Sequence, residues 1–482
     1  MSLLSLQASS IEASGGVHLF LRLIHFPRLL QPLHFKAMSI SIIFGSVTSP
    51  QGFQGAGVFC DVKSLGTGKG SNKGRKLDMA VIYSEAPCVA AGMFTTNQIC
   101  AAPVKVCVDH LKTSVARAVV VNSGNANACT GLKGRKDAET MCRQTAKHLK
   151  LKPSEVFVAS TGRIGLPLPM PNVRQGIEAV CSQLATDASG GDEVAEAIMT
   201  SDTHPKQYAV EFELGGKKVR LGGIAKGAGM IHPGMSPTGK RPYSMPLHAT
   251  MLSFITTDAA IAKSTLQRCL TEAVASTFNR ITVDGDMSTN DTVLVLANGL
   301  AGNNTLKHTA RDAESKASLA LFQKALNQLC FALSKMLVKD GEGVSRFVTV
   351  RVEGAKTDKE ADLAVRTVAN SSLVKTSWLG GDPNWGRIID ALGYSDATVE
   401  ESKVDIGYSA PGSSKVLYSL KGGKPSRVTY ERLCKEVADP EFDLHIHLNL
   451  GNGKAVMYAS DLTEEYVEFN KGDVTDPASL GG

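Results

Sequence analysis

The sequence predicts an α/β protein built of layered β-sheets packed with helices. Short apolar runs alternate with stretches of helical periodicity along most of the chain. The 46 glycines cluster in loops such as residues 66–74 and 222–234, between those runs. At 482 residues the chain exceeds one ordinary core, so it forms either two domains or one large α/β unit.

The individual elements follow in order. Ala118-Val119-Val120-Val121 is a continuous apolar run and predicts a buried strand, as does the run over residues 156–159. Residues 208–214 and 217–221 flank Gly215-Gly216 and predict a hairpin. Ser264 is a candidate N-cap for a helix running to about Phe278. Asp312 or Ser315 starts a longer helix carrying Leu319, Leu321, Phe322, Leu326, Leu329 and Leu333 at helical spacing. Residues 347–352, 444–450 and 455–459 predict later strands. There is no internal repeat and no apolar stretch long enough to cross a membrane as a helix. The loop Gly66-Thr67-Gly68-Lys69-Gly70-Ser71-Asn72-Lys73-Gly74 departs from the GxxxxGK[ST] phosphate-binding spacing and is better read as a mobile basic surface loop.

A hydrophobic content of 43% with 20% charged residues is typical of a soluble globular protein. The net charge of +6 is small for this length and forms no basic stripe, which points away from nucleic acid and membrane surfaces as partners. Ten cysteines are scattered without a CxxC pair, so reduced and mostly buried thiols are expected, with no metal site and no secreted disulfide framework. Residues 1–41 differ from the rest. They hold Arg22, Arg28 and Lys36 against the lone acid Glu12, with serines and an apolar run that the two arginines interrupt. Such a leader reads as an organelle transit peptide, the alternative being a start at Met38. Its removal takes away three positive charges and one negative and leaves a net charge of +4 from +6.

The chemistry concentrates at Lys226-Gly227-Ala228-Gly229-Met230-Ile231-His232-Pro233, followed by Ala249-Thr250-Met251-Leu252 and Thr256-Thr257-Asp258. A threonine that opens an apolar run becomes a nucleophile when the peptide bond before it is cut. The freed α-amino group supplies the base that a hydroxyl needs. Its ordinary pKa of about 7.7–8.0 suits both taking the proton and returning it. Taken alone, such a threonine is more often an ordinary strand residue.

Further polar, glycine-bearing segments accompany it. Ala91-Gly92-Met93-Phe94-Thr95-Thr96-Asn97, Asn122-Ser123-Gly124-Asn125-Ala126-Asn127-Ala128-Cys129-Thr130-Gly131 and Ser160-Thr161-Gly162-Arg163-Ile164-Gly165 read as turns at strand ends. Val283-Asp284-Gly285-Asp286-Met287-Ser288-Thr289-Asn290-Asp291, Gly381-Asp382-Pro383-Asn384-Trp385-Gly386-Arg387 and Asp461-Leu462-Thr463 follow. Together and in this order they resemble the ornithine acetyltransferase family, also called the glutamate N-acetyltransferase or bifunctional arginine-biosynthesis family. The resemblance covers residues 42–475, nearly all of the chain after the leader.

The resemblance implies a self-cleaving acetyltransferase of the N-terminal-nucleophile type. Cleavage between Ala249 and Thr250 would give an α chain of residues 42–249 and a β chain of residues 250–482. Thr250 is then the nucleophile and Thr161 with Gly162 the oxyanion hole. Substrate contacts carry over to Thr203, Lys226, Thr250, Glu342, Asn470 and Thr475, with Lys226 suited to a carboxylate and Glu342 to an ammonium. Acetyl would pass from N2-acetylornithine to glutamate, giving ornithine and N-acetylglutamate. Some members also accept acetyl-CoA as donor, and the resemblance leaves open whether this chain does. No cofactor and no metal are implied. The α and β chains of two precursors would form a heterotetramer, and the leader suggests a plastid (chloroplast) location. A catalytically silent, unprocessed relative that binds metabolites is the alternative, as is an N-terminal-nucleophile aminopeptidase. Asp284, Asp286, Asn384, Trp385 and Arg387 are expected to shape loops.

One departure stands out. The family's run reads approximately Met-Ile-x-Pro-x-Met-Ala-Thr-Met-Leu, whereas here residues 236–248 intervene between Met235 and Ala249. These 13 residues include Pro237, Pro242 and Pro246 and have the composition of an irregular loop.

Overall fold

The computed structural model describes residues 39–63, 76–112, 115–240 and 251–471, which lie in one compact unit. The loop at residues 66–74, the leader up to Met38, the Ala249–Thr250 bond and Thr475 lie outside the described residues.

Two mixed sheets form the frame. Its strands in chain order are β1 (Ser41–Ile43), β2 (Phe53–Val58), β3 (Met79–Phe94), β4 (Ala116–Asn125), β5 (Val156–Arg163), β6 (Lys206–Leu214), β7 (Lys217–Lys226) and β8 (Leu252–Thr257). They continue with β9 (Ile281–Thr282), β10 (Thr292–Ala297), β11 (Phe347–Ala355), β12 (Asp405–Ser409), β13 (Leu417–Lys421), β14 (Lys424–Pro425), β15 (Glu441–His447) and β16 (Gly453–Ser460). The larger sheet runs β1-β6-β7-β8-β10-β3-β4-β5, with β2 joined to β3, and the smaller runs β14-β13-β12-β15-β11-β16-β9. In β3 the first half pairs with β2 and β4 and the second half pairs with β10. Its register with β4 shifts between Tyr83 and Cys88, beside Pro87, where a proline cannot donate to the ladder.

The helices cover these sheets in separate layers. Ala102–His110, Gly131–Leu149, Met170–Ser182 and Ala188–Ala197 pack on β2 to β5 around Val119, Val121, Met141, Ile177 and Val194. Ala313–Lys339 packs against β6 and β7 on one side and reaches β9 and β16 of the smaller sheet. It buries Phe322, Leu326, Leu329 and Leu333, the stripe expected from the spacing, and Asp312 is its cap, accepting from the Ser315 amide. The smaller sheet carries Asp358–Asn370, Ser372–Leu379 and Trp385–Gly393 over a core of Val350, Val365, Trp378 and Leu444. A single layered α/β body with three apolar clusters therefore replaces the option of two domains.

Most of the expected elements form. The hairpin β6–β7 closes at Leu214 opposite Lys217, and residues 118–121, 347–352 and 455–459 lie inside β4, β11 and β16. Three expectations shift. The helix expected to be capped by Ser264 starts two residues earlier, at Lys263, with Ala262 as N-cap. Ala262 is fixed by donating to the Leu306 carbonyl at 3.0 Å, next to an Ile261–Leu306 bridge. The strand expected over 444–450 is β15, ending at His447, because Leu448 and Leu450 bend back to donate to Glu353 and Gly354. Ser160 to Arg163 continue strand β5 rather than forming a turn, as Ala91 to Phe94 continue β3 and Asn122 to Asn125 continue β4. The cysteines are free, with Cys88, Cys107, Cys142, Cys269 and Cys330 buried and Cys129 exposed. Among the described residues no helix is long and apolar enough to cross a membrane.

Candidate active site

The oxyanion-hole candidates owe their geometry to a bulge. β4 and β5 run parallel, and their register breaks where Asn125 lies opposite both Thr161 and Arg163. A bulge of this kind re-aims the strand end locally. Gly162 has φ +124°, and a Cβ there would lie 2.3 Å from the Gly124 carbonyl carbon, so only glycine fits. Thr161, just before it, is buried.

Beside this bulge the larger sheet ends in a row. Lys226, the last residue of β7, is opposite Leu252, the first of β8, and Leu252 is opposite Thr292, the first of β10. Lys226 is buried. Its Nζ donates to Thr200 Oγ1 at 2.7 Å and, over a long 3.4 Å, to Thr161 Oγ1. Since the lysine occupies a lone pair of Thr161, the hydroxyl proton of Thr161 is left to point elsewhere. Burial pulls the Lys226 pKa down, and the charge of Asp202 opposes that.

Behind Lys226 lies a buried relay of charges. Asp202 is fully enclosed; burial would raise its pKa, but the charges of Lys206 and Lys226 outweigh that and hold it well below the usual carboxylate range. Asp202 accepts from Lys206 Nζ at 2.6 Å and from the Gly227 amide at 2.7 Å, with Lys226 Nζ 3.8 Å away. Lys206 also bonds Asp340, which in turn accepts from the Thr203 hydroxyl and, at 3.1 Å, from the Thr203 amide. Thr203 is exposed, so its placement is fixed from within while its side faces solvent.

Glu342 and Asn470 form the other side. Asn470 Nδ2 donates to Glu342 Oε2 at 2.9 Å, and the Glu342 amide donates to Ala228 O at 3.0 Å. A Cβ on Gly229 would come within 2.6 Å of the Glu342 carboxylate, so this glycine lets the Lys226–Met230 run pass beneath it. Glu342 also contributes to the field at Lys226. Thr161, Gly162, Lys226, Glu342 and Asn470 thus belong to one neighbourhood, and Thr203 joins it through Asp340 and Lys206. Thr250, Ala249 and Thr475 lie outside the described residues.

The loop residues behave as braces. Asp284 accepts from the amides of Met230 at 2.6 Å, Ile231 at 2.8 Å and Asp286 at 3.2 Å, and burial pushes its pKa up to about 6. Asn384 caps the helix Trp385–Gly393, and Arg387 donates to Leu373 O at 2.8 Å. Before the cleavage candidate, the Met235 amide donates to Asn279 Oδ1 and the Met235 carbonyl accepts from Asn279 Nδ2. Ser236, first of the 13 intervening residues, pairs with Phe94 through two backbone hydrogen bonds of 2.8 and 2.9 Å.

Sequence reasoning missed Thr200, Asp202, Lys206 and Asp340, and passed over Asn290 and Asp291 inside a longer motif. Asn290 Nδ2 donates to Ser160 O and Ala126 O, both at 2.7 Å, tying the entry of β10 to the strand end that carries Thr161. Asp291 accepts from the Met251 amide. The available signal was a polar Ser-Thr-Asn-Asp stretch running straight into the fully buried strand β10. Among the described residues no group of three or more His, Cys, Asp or Glu could hold a metal ion.

A model of the ArgJ family matches residues 63–473. The chain is 46% identical over 411 residues to the arginine biosynthesis bifunctional protein ArgJ 1 of Clostridium acetobutylicum, covering 85% of this chain and 94% of that one. It is 43% identical over 426 residues to the ArgJ bifunctional protein of Symbiobacterium thermophilum, covering 88% and 98%. Among solved structures it is similar to ArgJ from Bacillus halodurans, at 36% identity and a TM-score of 0.39, over 42% of this chain and 100% of that one. A second is the ornithine acetyltransferase from Mycobacterium tuberculosis complexed with ornithine, at 38% identity and a TM-score of 0.37, over 41% and 100%.

Proposed function

We propose, from the premise that this chain belongs to the ArgJ family, that it transfers acetyl from N2-acetylornithine to glutamate through an acetyl-Thr250 intermediate in arginine biosynthesis. The observation that carries the reading is the setting of Met251, the residue joined to Thr250. Its amide is bonded to Asp291, and the next residue, Leu252, pairs with Lys226, whose Nζ touches Thr161.

The chemistry follows from these groups. Before the cut, Thr250 Oγ attacks the Ala249 carbonyl, and hydrolysis of the resulting ester frees the α-amine. In turnover the Thr250 hydroxyl gives its proton to that amine and its oxygen attacks the acetyl carbonyl of N2-acetylornithine. The Thr161 hydroxyl and the Gly162 amide donate to the oxyanion. The C–N bond breaks, the proton passes to the departing nitrogen, and ornithine leaves. The amine of glutamate then attacks the ester and restores Thr250. Lys226 and Glu342 suit the carboxylate and ammonium ends of such amino acids. Acetyl-CoA would enter as an alternative donor, with no cofactor or metal. The cut chains of two precursors, residues 42–249 and 250–482, would associate as a heterotetramer.

Thr250→Ala is expected to stay a single uncut chain and to lose transfer by about 10⁴-fold or more. Electrophoresis with mass spectrometry and a transfer assay check both, and full activity in the uncut variant would refute the nucleophile. The acid-poor leader supports import into a plastid with removal of residues 1–41. A fluorescent fusion of residues 1–60 should enter plastids of plant cells, and a fusion that stays cytosolic counts against import.

A further inference from the structure

Four charged side chains are buried together around the end of β7: Asp202, Lys206, Lys226 and Asp340. Buried ion pairs are weak contributors to stability, and apolar replacements often serve as well, so a cluster of four asks for another use. The two lysines are held in different ways. Lys206 Nζ is claimed by carboxylates on both sides, Asp202 at 2.6 Å and Asp340. Lys226 Nζ bonds the Thr200 hydroxyl at 2.7 Å and reaches the Thr161 hydroxyl only at 3.4 Å. Asp202 Oδ2 lies 3.8 Å from it, close enough to act through its charge but beyond hydrogen-bond distance.

The other bonds of Asp202 keep it in that place. Oδ1 accepts from Lys206 and, at 2.7 Å, from the Gly227 amide, while Oδ2 accepts from the Thr200 amide at 3.0 Å. Gly227 follows Lys226 in the chain, and Thr200 carries the hydroxyl that Lys226 bonds. Asp202 therefore grips both flanks of the lysine without taking its N–H groups. We propose that Asp202 is the positioning residue for Lys226, keeping its ammonium charged while leaving its N–H groups to the α-carboxylate that N2-acetylornithine and glutamate share. The inference rests on the acetyl transfer proposed above.

The chemistry of the two substrates favours this assignment. Each carries a carboxylate on the carbon next to its reacting nitrogen, whereas the side chains end in opposite charges, an ammonium in ornithine and a carboxylate in glutamate. A fixed cation suits the group they have in common. Lys226 touches Thr161, the oxyanion candidate, so it stands within reach of a carboxylate two bonds from the reacting nitrogen. Charge-assisted hydrogen bonds are about twice as strong as neutral ones, which makes the protonation of Lys226 matter. The charged groups that act on it come from several elements. Asp202 and Lys206 belong to the entry of β6, Asp291 precedes β10, Glu342 follows the helix Ala313–Lys339, and Lys63 lies between β2 and β3. Burial pulls the Lys226 pKa down, and the attraction of Asp202 is the largest effect opposing it.

The test is the ratio of kcat/KM for N2-acetylornithine to that for its α-carboxamide, measured with the full chain over about pH 6 to 8. Titration of the nucleophile's base affects both donors alike and cancels in the ratio. In the parent protein the ratio should be about 10²-fold and constant. Asp202→Asn removes the charge and nearly keeps the shape. The Lys226 titration should then move down by about two pH units or more, from the loss of a unit charge 3.8 Å away at an effective dielectric of about 20. The ratio should fall by about tenfold or more between pH 6 and 8. A folded Asp202→Asn enzyme whose ratio stays constant with pH overturns the proposal, at the parent's level or below it, because a purely geometric role has no such dependence. If a thermal melt shows that Asp202→Asn does not fold, the parent and Lys226→Met decide. A constant parent ratio that Lys226→Met abolishes supports the proposal, and a parent ratio that falls across this range, or survives Lys226→Met, overturns it. A parent chain that transfers no acetyl from N2-acetylornithine would instead bring down the underlying reading, and the two failures are separately visible.

Discussion

Two buried lysines show how differently two local networks, one beside each sheet, use polar groups. Lys375, in the helix Ser372–Leu379 over the smaller sheet, donates to the Ser460 carbonyl and to Ser460 Oγ at 3.3 Å, and its ammonium lies 5.9 Å from the Trp378 ring centroid. The neighbouring Asp461 is saturated by Ser345 and Arg346. These groups are spent on backbone and on one loop, the loop that carries Glu342. Lys226, at the end of the larger sheet, donates to two hydroxyls, which can turn, and faces Asp202 across 3.8 Å. Its neighbour Asp291 keeps an oxygen without a donor. Satisfied networks rigidify a fold, whereas unspent hydrogen-bonding capacity in a fixed frame is available to a reacting group. Around Lys375 the polar groups are used to hold the site in place, and around Lys226 they are left to carry the chemistry.

The sharpest way to break that contrast is Thr161→Ala. If Thr161 donates to an oxyanion, turnover should fall by about 10²–10³-fold, because such a donor acts chiefly in the transition state. KM for N2-acetylornithine and the melting temperature should change little, since Lys226 retains its bond to Thr200 and Gly162 keeps the bulge. Steady-state kinetics with a melt decides it. A rise in KM at unchanged turnover would make Thr161 a binding residue and blur the distinction between the two regions.

The frame was legible in the sequence wherever its cause is local. Ala118 to Val121 is apolar throughout because both faces of β4 are covered, and Asp312 announces the helix Ala313–Lys339 because a cap needs only its own first turn. Ser264 misled for the converse reason: a bridge between Ile261 and Leu306, distant in sequence, decides where that helix begins. The site was legible only through resemblance. The bulge that shapes Thr161 and Gly162 depends on the register of β4 against β5, which no short window specifies. Asp202, Lys206 and Asp340 look like ordinary surface charges in the chain, and only the fold brings Lys206 onto an aspartate 134 residues away. Asp291 was hidden by its company, an acid at the end of a turn-like Ser-Thr-Asn stretch.

A smaller effect tests the other half of the contrast, that Lys375 serves structure alone. Burial lowers its pKa from 10.5 to about 8, against the opposing charges of Asp284 and Asp461. In the unfolded chain the amine keeps its proton up to about pH 10.4. Between about pH 8 and 10.4 the unfolded state therefore binds more protons at this site, so its contribution to stability rises with pH across that window. Below pH 8 both states are charged and the full cost of burying the ammonium remains. The cost is at most on the order of 3 kcal/mol, from about 1.4 kcal/mol per pKa unit. Lys375→Met removes the ammonium while keeping most of the side-chain volume. Denaturant unfolding of both proteins at about pH 8 and pH 10 should show the parent gaining stability relative to the variant at the higher pH. The variant should be as stable as the parent or more so at pH 7, since an apolar replacement of a buried charge is often neutral or stabilising. Its acetyl-transfer turnover should be unchanged. A large loss of turnover in a folded Lys375→Met protein would mean that the two regions share the chemistry, and the division between frame and site would have to be redrawn.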